Sequence, residues 1–226
     1  MHKLVKQARE AGRNLLEHEA SALLREYGLP CVPSVLACTV EEAEQAAEEI
    51  GFPVVLKMVS PQIIHKSEAG GVKVNLGTKD EVRLAFSEIM ASAKSFNKEA
   101  ELKGVLVTSY LPGGTEVILG MNRDAQFGPV LMFGLGGVFV EVFKDVSFEL
   151  LPVNEEDAYE MIEGIKGRVI LHGTRGQKPK DMAGIAKALV NLSQLVLENP
   201  EINEIDLNPT VVFEDKIAIL DVRILI

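Results

Sequence analysis

The sequence predicts an α+β protein built as two lobes, residues 1–100 and 101–226. Three observations carry this. Helix-like and strand-like patterns alternate in two groups that meet near residue 100. No internal repeat, low-complexity run or linker interrupts either group. The length, 226 residues, suffices for a substantial buried core. A crevice between two such lobes is a good place for a ligand.

Composition narrows the partners. The formal net charge is −10, which argues against nucleic acid or an anionic membrane as the main partner. A phosphate ligand then has to be met by local positive charge, glycine amides or a metal ion. No apolar run approaches the length of a membrane span, and Met1-His2-Lys3 does not open a signal peptide. Cys31 and Cys38 are too few, and wrongly spaced, for a zinc site or a redox pair. A reducing cytoplasm is the expected setting.

In the first group, Leu15, Leu16, Ala20, Leu23 and Leu24 share one face of a helix over 14–27 that ends at Gly28. His18 lies on or near that helix and reads as a surface residue. Thr39 with Glu42 makes a capping box for a helix that stops at Gly51. Residues 52–59 form an apolar strand interrupted by Lys57. A lysine inside a buried strand is expensive unless its ammonium meets an anion or reaches water, so Lys57 is either an anion ligand or a snorkelling side chain. The segment 60–71, with His65, Lys66, Ser67, Gly70 and Gly71, connects that strand to another at 72–76. It is not a Walker loop, because it lacks G-x-x-x-x-G-K-[ST] and a following helix. Such a loop brings amides and a titratable ring to a phosphate, or serves as a plain hairpin connection. Thr78 and Glu81 cap a helix reaching about Asn97, with Val82, Ala85, Phe86, Ile89, Ala93 and Phe96 on one face.

The second group opens β-rich from Gly104 to Val140. Glu116 starts an otherwise apolar strand and is either an edge residue or a ligand group. Gly134, Gly136 and Gly137 do not make a dinucleotide fingerprint and read as a tight turn in a sheet. Asn154 starts a short helix. Residues 166–180 are a basic, glycine-bearing connector, either a solvated loop or, through Arg175, a phosphate clamp. Asp181 caps the last long helix, which Asn199-Pro200 stops. Residues 204–223 then read as two strands joined at Glu214-Asp215. A two-residue turn there sets Asp221 across from Asn208 and Arg223 across from Asp206. The other face is wholly apolar: Ile205, Leu207, Val211 and Phe213 with Ala218, Leu220, Val222 and Ile224. A slip of one residue would mix the faces, so the register is well specified. Pro209 calls for an edge or a bulge. Asn208 and Asp221 offer neighbouring hard oxygens that suit Mg²⁺, unless this is simply a solvated face.

Six segments occur together in one order: V-V-L-K at 54–57, H-K-S-E-A-G-G-V at 65–72, G-G-T-E-V-I-L-G-M at 113–121, F-G-L-G-G-V-F-V-E at 133–141, R-G-Q-K-P at 175–179 and E-I-D-L-N-P at 204–209. In this the chain resembles the ATP-grasp β subunits of ADP-forming acetyl-CoA synthetases, relatives of the succinyl-CoA synthetase β chain. The resemblance implies an ATP-grasp fold with ATP or ADP between the lobes. It matches Lys57, Gly70 and Gly71 to the groups around the nucleotide phosphates, and Asn208 and Asp221 to the Mg²⁺ ligands. The adenine would lie against Thr108 to Leu111, so Ser109, Tyr110 and Leu111 join Glu116 among the nucleotide-binding candidates. His65 matches a phosphate-carrying histidine and Asp206 the carboxylate that orients an incoming phosphohistidine. The implied partner is a CoA-binding α subunit with its own phosphohistidine, in an α2β2 assembly, with no role for nucleic acid or membrane. Two positions depart from the family pattern. Glu149 stands where close relatives carry arginine, a charge reversal expected near the cleft, and Thr108-Ser109-Tyr110 replaces a Gln/Glu-rich hinge. The competing readings are another ATP-grasp carboxylate ligase working through an acyl phosphate, and a non-catalytic nucleotide-sensing subunit.

Overall fold

Helix caps are the strongest local signals in this chain, and they set most of its helix ends. The computed structural model describes residues 1–63, 66–137, 144–174, 176 and 178–226. In chain order the first elements are α1 (Lys3–Glu10), α2 (Glu17–Glu26), β1 (Ser34–Ala37), α3 (Val40–Ile50), β2 (Val54–Val59), β3 (Val72–Leu76) and α4 (Lys79–Phe96). Next come β4 (Gly104–Ser109), β5 (Thr115–Asp124), β6 (Gly128–Leu135), β7 (Val146–Leu150) and α5 (Glu155–Gly164). The chain finishes with α6 (Arg168–Leu171), α7 (Met182–Glu198), β8 (Glu204–Val212), β9 (Ile217–Ile219) and β10 (Arg223–Leu225). No helix among the described residues is long and apolar enough to cross a membrane.

The caps follow the expected chemistry. Thr78 and Glu81 form a full capping box on α4, and Asn154 with Asp157 forms another on α5. On α3 the Thr39 hydroxyl accepts the Glu42 N–H, while the Glu42 carboxylate accepts the Cys38 N–H. Asp181 accepts the Gly184 N–H at the start of α7. Two helices escape the sequence pattern. The buried positions of α1 are Val5 and Ala8, too few to make a periodic stripe. Helix α6 forms inside the basic connector, anchored by the fully buried Leu171.

The chain divides into two compact units, neither continuous in sequence. The smaller comprises Leu16–His18 and Val32–Pro112. Its four-stranded antiparallel sheet has the order β1-β4-β2-β3. Every position of β2 is buried. Val54, Leu56 and Met58 face the core with Ala43, Ala46 and Ala47 of α3 and Val82, Phe86 and Ile89 of α4. The alanines let α3 lie close, and alternation turns Lys57 to the other sheet face. His18, expected on the surface, is half-buried.

The larger unit comprises Met1–Leu15, Glu19–Cys31 and Gly113–Ile226. Its six-stranded sheet runs β10-β8-β5-β6-β7, with β9 also paired to β8. Leu119 and Met121 of β5, Leu131 and Phe133 of β6 and Leu207 of β8 pack with Ile185, Leu189, Leu192 and Val196 of α7. Each such side chain contributes about 1.5–3 kcal/mol by leaving water, so register is strongly enforced on this face. The opposite face carries Gly120, Met132, Phe148, Asp206 and Asn208.

Candidate nucleotide and metal site

In the smaller unit, Lys57 does not snorkel. Its side chain is 9% exposed and its Nζ donates to Glu17 Oε1 at 2.7 Å. Lys66 donates to the other oxygen of the same carboxylate. Glu17 is a partner of Lys57 that periodicity passed over. It sits three residues before Ala20 and seven before Leu24, so a glutamate at stripe spacing was the available signal. The glycines of the 60–71 loop serve its own closure. The Gly70 N–H donates to Ser67 O (3.1 Å) and the Gly71 N–H to Lys66 O (2.7 Å), while Gly71 O accepts the Met58 N–H (2.7 Å). Gly70 has φ +65°, and a Cβ on Gly71 would lie 2.8 Å from Met58 Cε. Ser109 ends β4 opposite Val54, and Tyr110 donates its N–H to Pro53 O at 3.1 Å. Leu111 follows, half-buried. His65 and Arg175 lie outside the described residues.

In the larger unit the C-terminal pairing is as expected, but beyond Pro209 the facing is not: Val212, Ile217 and Ile219 join the core in place of Val211, Phe213, Ala218 and Leu220, because the strand changes face at the register shift. Thr210, Val211 and Val212 pair with Ile219, Ala218 and Ile217, and Asp206 pairs with Arg223. The Leu220 N–H donates to Pro209 O at 3.0 Å. Asn208 and Asp221 therefore fall opposite each other in one unbroken register. The second strand is split, with residues 220–222 outside both β9 and β10. The proline produces a bulge rather than an edge: the β5–β8 register shifts between Val117 and Leu119, against Thr210 and Leu207. The Asn208–Pro209 peptide bond is cis. Asn208 is exposed and Asp221 half-buried, its Oδ1 accepting the Val222 N–H at 3.0 Å. One amide oxygen and one carboxylate side by side fit Mg²⁺, which takes few protein ligands and completes its shell with water and phosphate. No group of three His, Cys, Asp or Glu is gathered as a metal cage among the described residues.

Asp206 stands beside this pair. Burial raises its pKa; Arg223, at 3.6 Å, opposes the shift, while Glu204 and Asp221 add to it. Arg223 is also paired with Glu204. A cavity of about 570 Å³ opens on this sheet face, lined by Gly120, Met132, Phe148, Asp206, Asn208 and Arg223 among others. Glu149 does not reach it. Phe148 pairs with Met132 in the cavity wall, whereas Glu149 pairs with Leu131 of the core and accepts its neighbour Leu150's N–H. The charge reversal expected near the cleft is thus absent from this wall. Glu116 is exposed on β5, and its backbone oxygen accepts the Gly136 N–H at 2.8 Å. A Cβ on Gly136 would lie 2.9 Å from Glu116 Cβ, so the glycine turn packs directly on this residue.

Comparison with known proteins places this chain in a family. An ATP-grasp domain model matches residues 7–226. The β subunit of acetate–CoA ligase [ADP-forming] I from Pyrococcus furiosus is 48% identical over 223 residues, covering 99% of this chain and 96% of that one. Two other curated relatives, 4-hydroxybutyrate–CoA ligase [ADP-forming] of Nitrosopumilus maritimus and acetate–CoA ligase [ADP-forming] I of Archaeoglobus fulgidus, are longer, and the chain spans about a third of their length. Among solved structures, acetyl-coenzyme A synthetase 1 of Candidatus Korarchaeum cryptofilum, with coenzyme A, Ca-AMPCP and HgCl⁺, superposes with a TM-score of 0.96 at 48% identity, covering 99% of this chain and 98% of that one. The same enzyme with coenzyme A and Mg-AMPPCP, its phosphohistidine segment pointing towards the nucleotide site, gives 0.87 at 46% identity, with 99% and 98% covered. The chain belongs to the ATP-grasp family and, within it, to the β subunits of ADP-forming acetate–CoA ligases.

Proposed function

We propose that this chain is the nucleotide-binding subunit of an ADP-forming acyl-CoA synthetase, interconverting acyl-CoA, ADP and phosphate with carboxylic acid, ATP and CoA. The observation that carries the reading is the register of the C-terminal hairpin, Asp206 with Arg223 and Thr210 with Ile219, which brings Asn208 across from Asp221 with Asp206 two residues away. Phosphoryl transfer needs positioning and charge neutralisation more than covalent help. Asn208 and Asp221 would hold Mg²⁺, which when bound neutralises the nucleotide phosphates. Lys57 supplies a fixed positive charge for the same phosphates. Because the amides of Gly70 and Gly71 bond inside their loop, the role of these glycines is to shape the loop rather than to donate to phosphate.

The phosphoryl group travels on histidine. A CoA-binding α subunit, as in an α2β2 assembly, would deliver it from its own phosphohistidine. On this chain His65 would accept it and pass it to the terminal oxygen of ADP. The P–N bond breaks, a P–O bond forms and the imidazole is released. Asp206 orients the incoming ring by accepting the N–H of its other nitrogen, which fixes the tautomer. The cytoplasm suits a chain whose two cysteines, Cys31 and Cys38, form no disulfide.

Labelled ATP and Mg²⁺ with the α–β complex test this directly. Acid-labile phosphate should map to His65, and His65→Ala should lose turnover. No label there, together with unchanged turnover in the variant, rejects the assignment.

A further inference from the structure

Glu17 has no part in the reading above, yet its carboxylate holds two lysines at once. Its side chain is 4% exposed; Lys57 and Lys66 are 9% and 18% exposed. Lys57 lies in β2, and Lys66 in the loop whose end, Gly71, bonds Met58 of the same strand. One carboxylate thus fastens the loop to the strand next to a backbone bond that does the same. For stability alone this is a poor choice. Each buried charge costs several kcal/mol to desolvate, and apolar residues of similar volume are often neutral or better.

That arrangement suits an anionic ligand. A lysine side chain carries about 2 kcal/mol of rotamer entropy, so an ammonium held in advance meets a phosphate without that loss. An ammonium has three donors, so a carboxylate can hold it while it also meets a phosphate oxygen. Protein kinases rely on such a Lys–Glu pair, which must be in place for transfer.

We propose that Glu17 is a positioning residue for phosphoryl transfer, holding the Lys57 and Lys66 ammoniums in place so that the nucleotide phosphates meet two ordered cations. This rests on the reading of Lys57 as a phosphate ligand. The test uses the complex with the CoA-binding subunit, measuring ATP formation from acetyl-CoA, phosphate and varied ADP. Glu17→Gln keeps both cations but loses the anion that orders them. Its kcat should fall about tenfold or more while KM for ADP stays within about twofold or drops. Lys57→Met should instead raise KM for ADP about tenfold. Glu17→Asp keeps the charge on a shorter arm and guards against a Gln variant that fails to fold. It should lower kcat about threefold or more with KM unchanged. A kcat within about twofold of the parent in the folded variants, or a rise in KM matching that of Lys57→Met, overturns the proposal. Unchanged KM in Lys57→Met overturns the phosphate-ligand reading beneath it.

Discussion

Replacing Gly71 with alanine measures how tightly the 60–71 loop is fastened to β2. An added Cβ would lie 2.8 Å from Met58 Cε, 2.9 Å from Met58 Cβ and 3.0 Å from the Lys66 carbonyl oxygen. The Cε can swing aside, but the other two atoms move only with the backbone. Met58 is fully buried in the core of the smaller unit, so the loop rather than the strand must give. The bonds at risk are Gly71 N–H to Lys66 O and Met58 N–H to Gly71 O, both 2.7 Å. Overpacking costs about 1–3 kcal/mol and one lost hydrogen bond about 1 kcal/mol, so the expected loss is about 2–4 kcal/mol. Gly70 is the control. A Cβ there meets Ser92 Oγ at 3.3 Å, but φ is +65°, so its alanine pays mainly for left-handed backbone, about 1–2 kcal/mol. Asparagine tolerates that conformation, so Gly70→Asn should recover part of the loss, whereas Gly71→Asn should do no better than alanine. Hydrogen exchange at the Met58 amide reads the local opening directly, alongside urea unfolding. The steric account is refuted if Gly71→Ala is no less stable than Gly70→Ala and leaves Met58 protection unchanged.

Three further outcomes are expected. Asn208→Ala and Asp221→Ala should each weaken MgADP binding about tenfold and leave metal-free ADP binding unchanged, by titration calorimetry with and without EDTA; equal losses in both conditions would deny them a role as metal ligands. Asp206 has a raised pKa in the fold, so the folded state binds more protons than the unfolded one between the two values, and stability falls as pH rises through that window. Asp206→Asn should therefore raise Tm at pH 7, with the gain fading as pH falls below the ordinary aspartate value, about 3.9, while turnover is lost. Asp145 is buried and accepts the N–H groups of Lys166 and Gly167, both at 2.7 Å; Asp145→Ala should cost about 2–4 kcal/mol in chemical denaturation, and Asp145→Asn less.

By itself the sequence determined what neighbouring residues can settle. Thr78 with Glu81, Asn154 and Asp181 mark helix starts because a cap satisfies amides within three residues of itself. The pairing of Asp206 with Arg223 was legible because a slip would have exposed Ile205, Leu207 and Ile224, and Pro209 announced the bulge. Asn208 and Asp221 followed from that register. What joins residues distant in the chain was decided by the tertiary structure. Only there does β8 come to lie beside β5, do residues 1–15 and 19–31 join the unit built on 113–226, and does Leu171 turn part of a basic connector into a helix. Lys57 looked like an isolated charge because its counter-ion, Glu17, lies 40 residues earlier. Likewise it took the β6–β7 register to put Phe148 rather than Glu149 in the wall of the larger unit's cavity. Local signals read one element's own pattern; the partner of a buried charge depends on which elements pack against it, and that is settled only when the core closes.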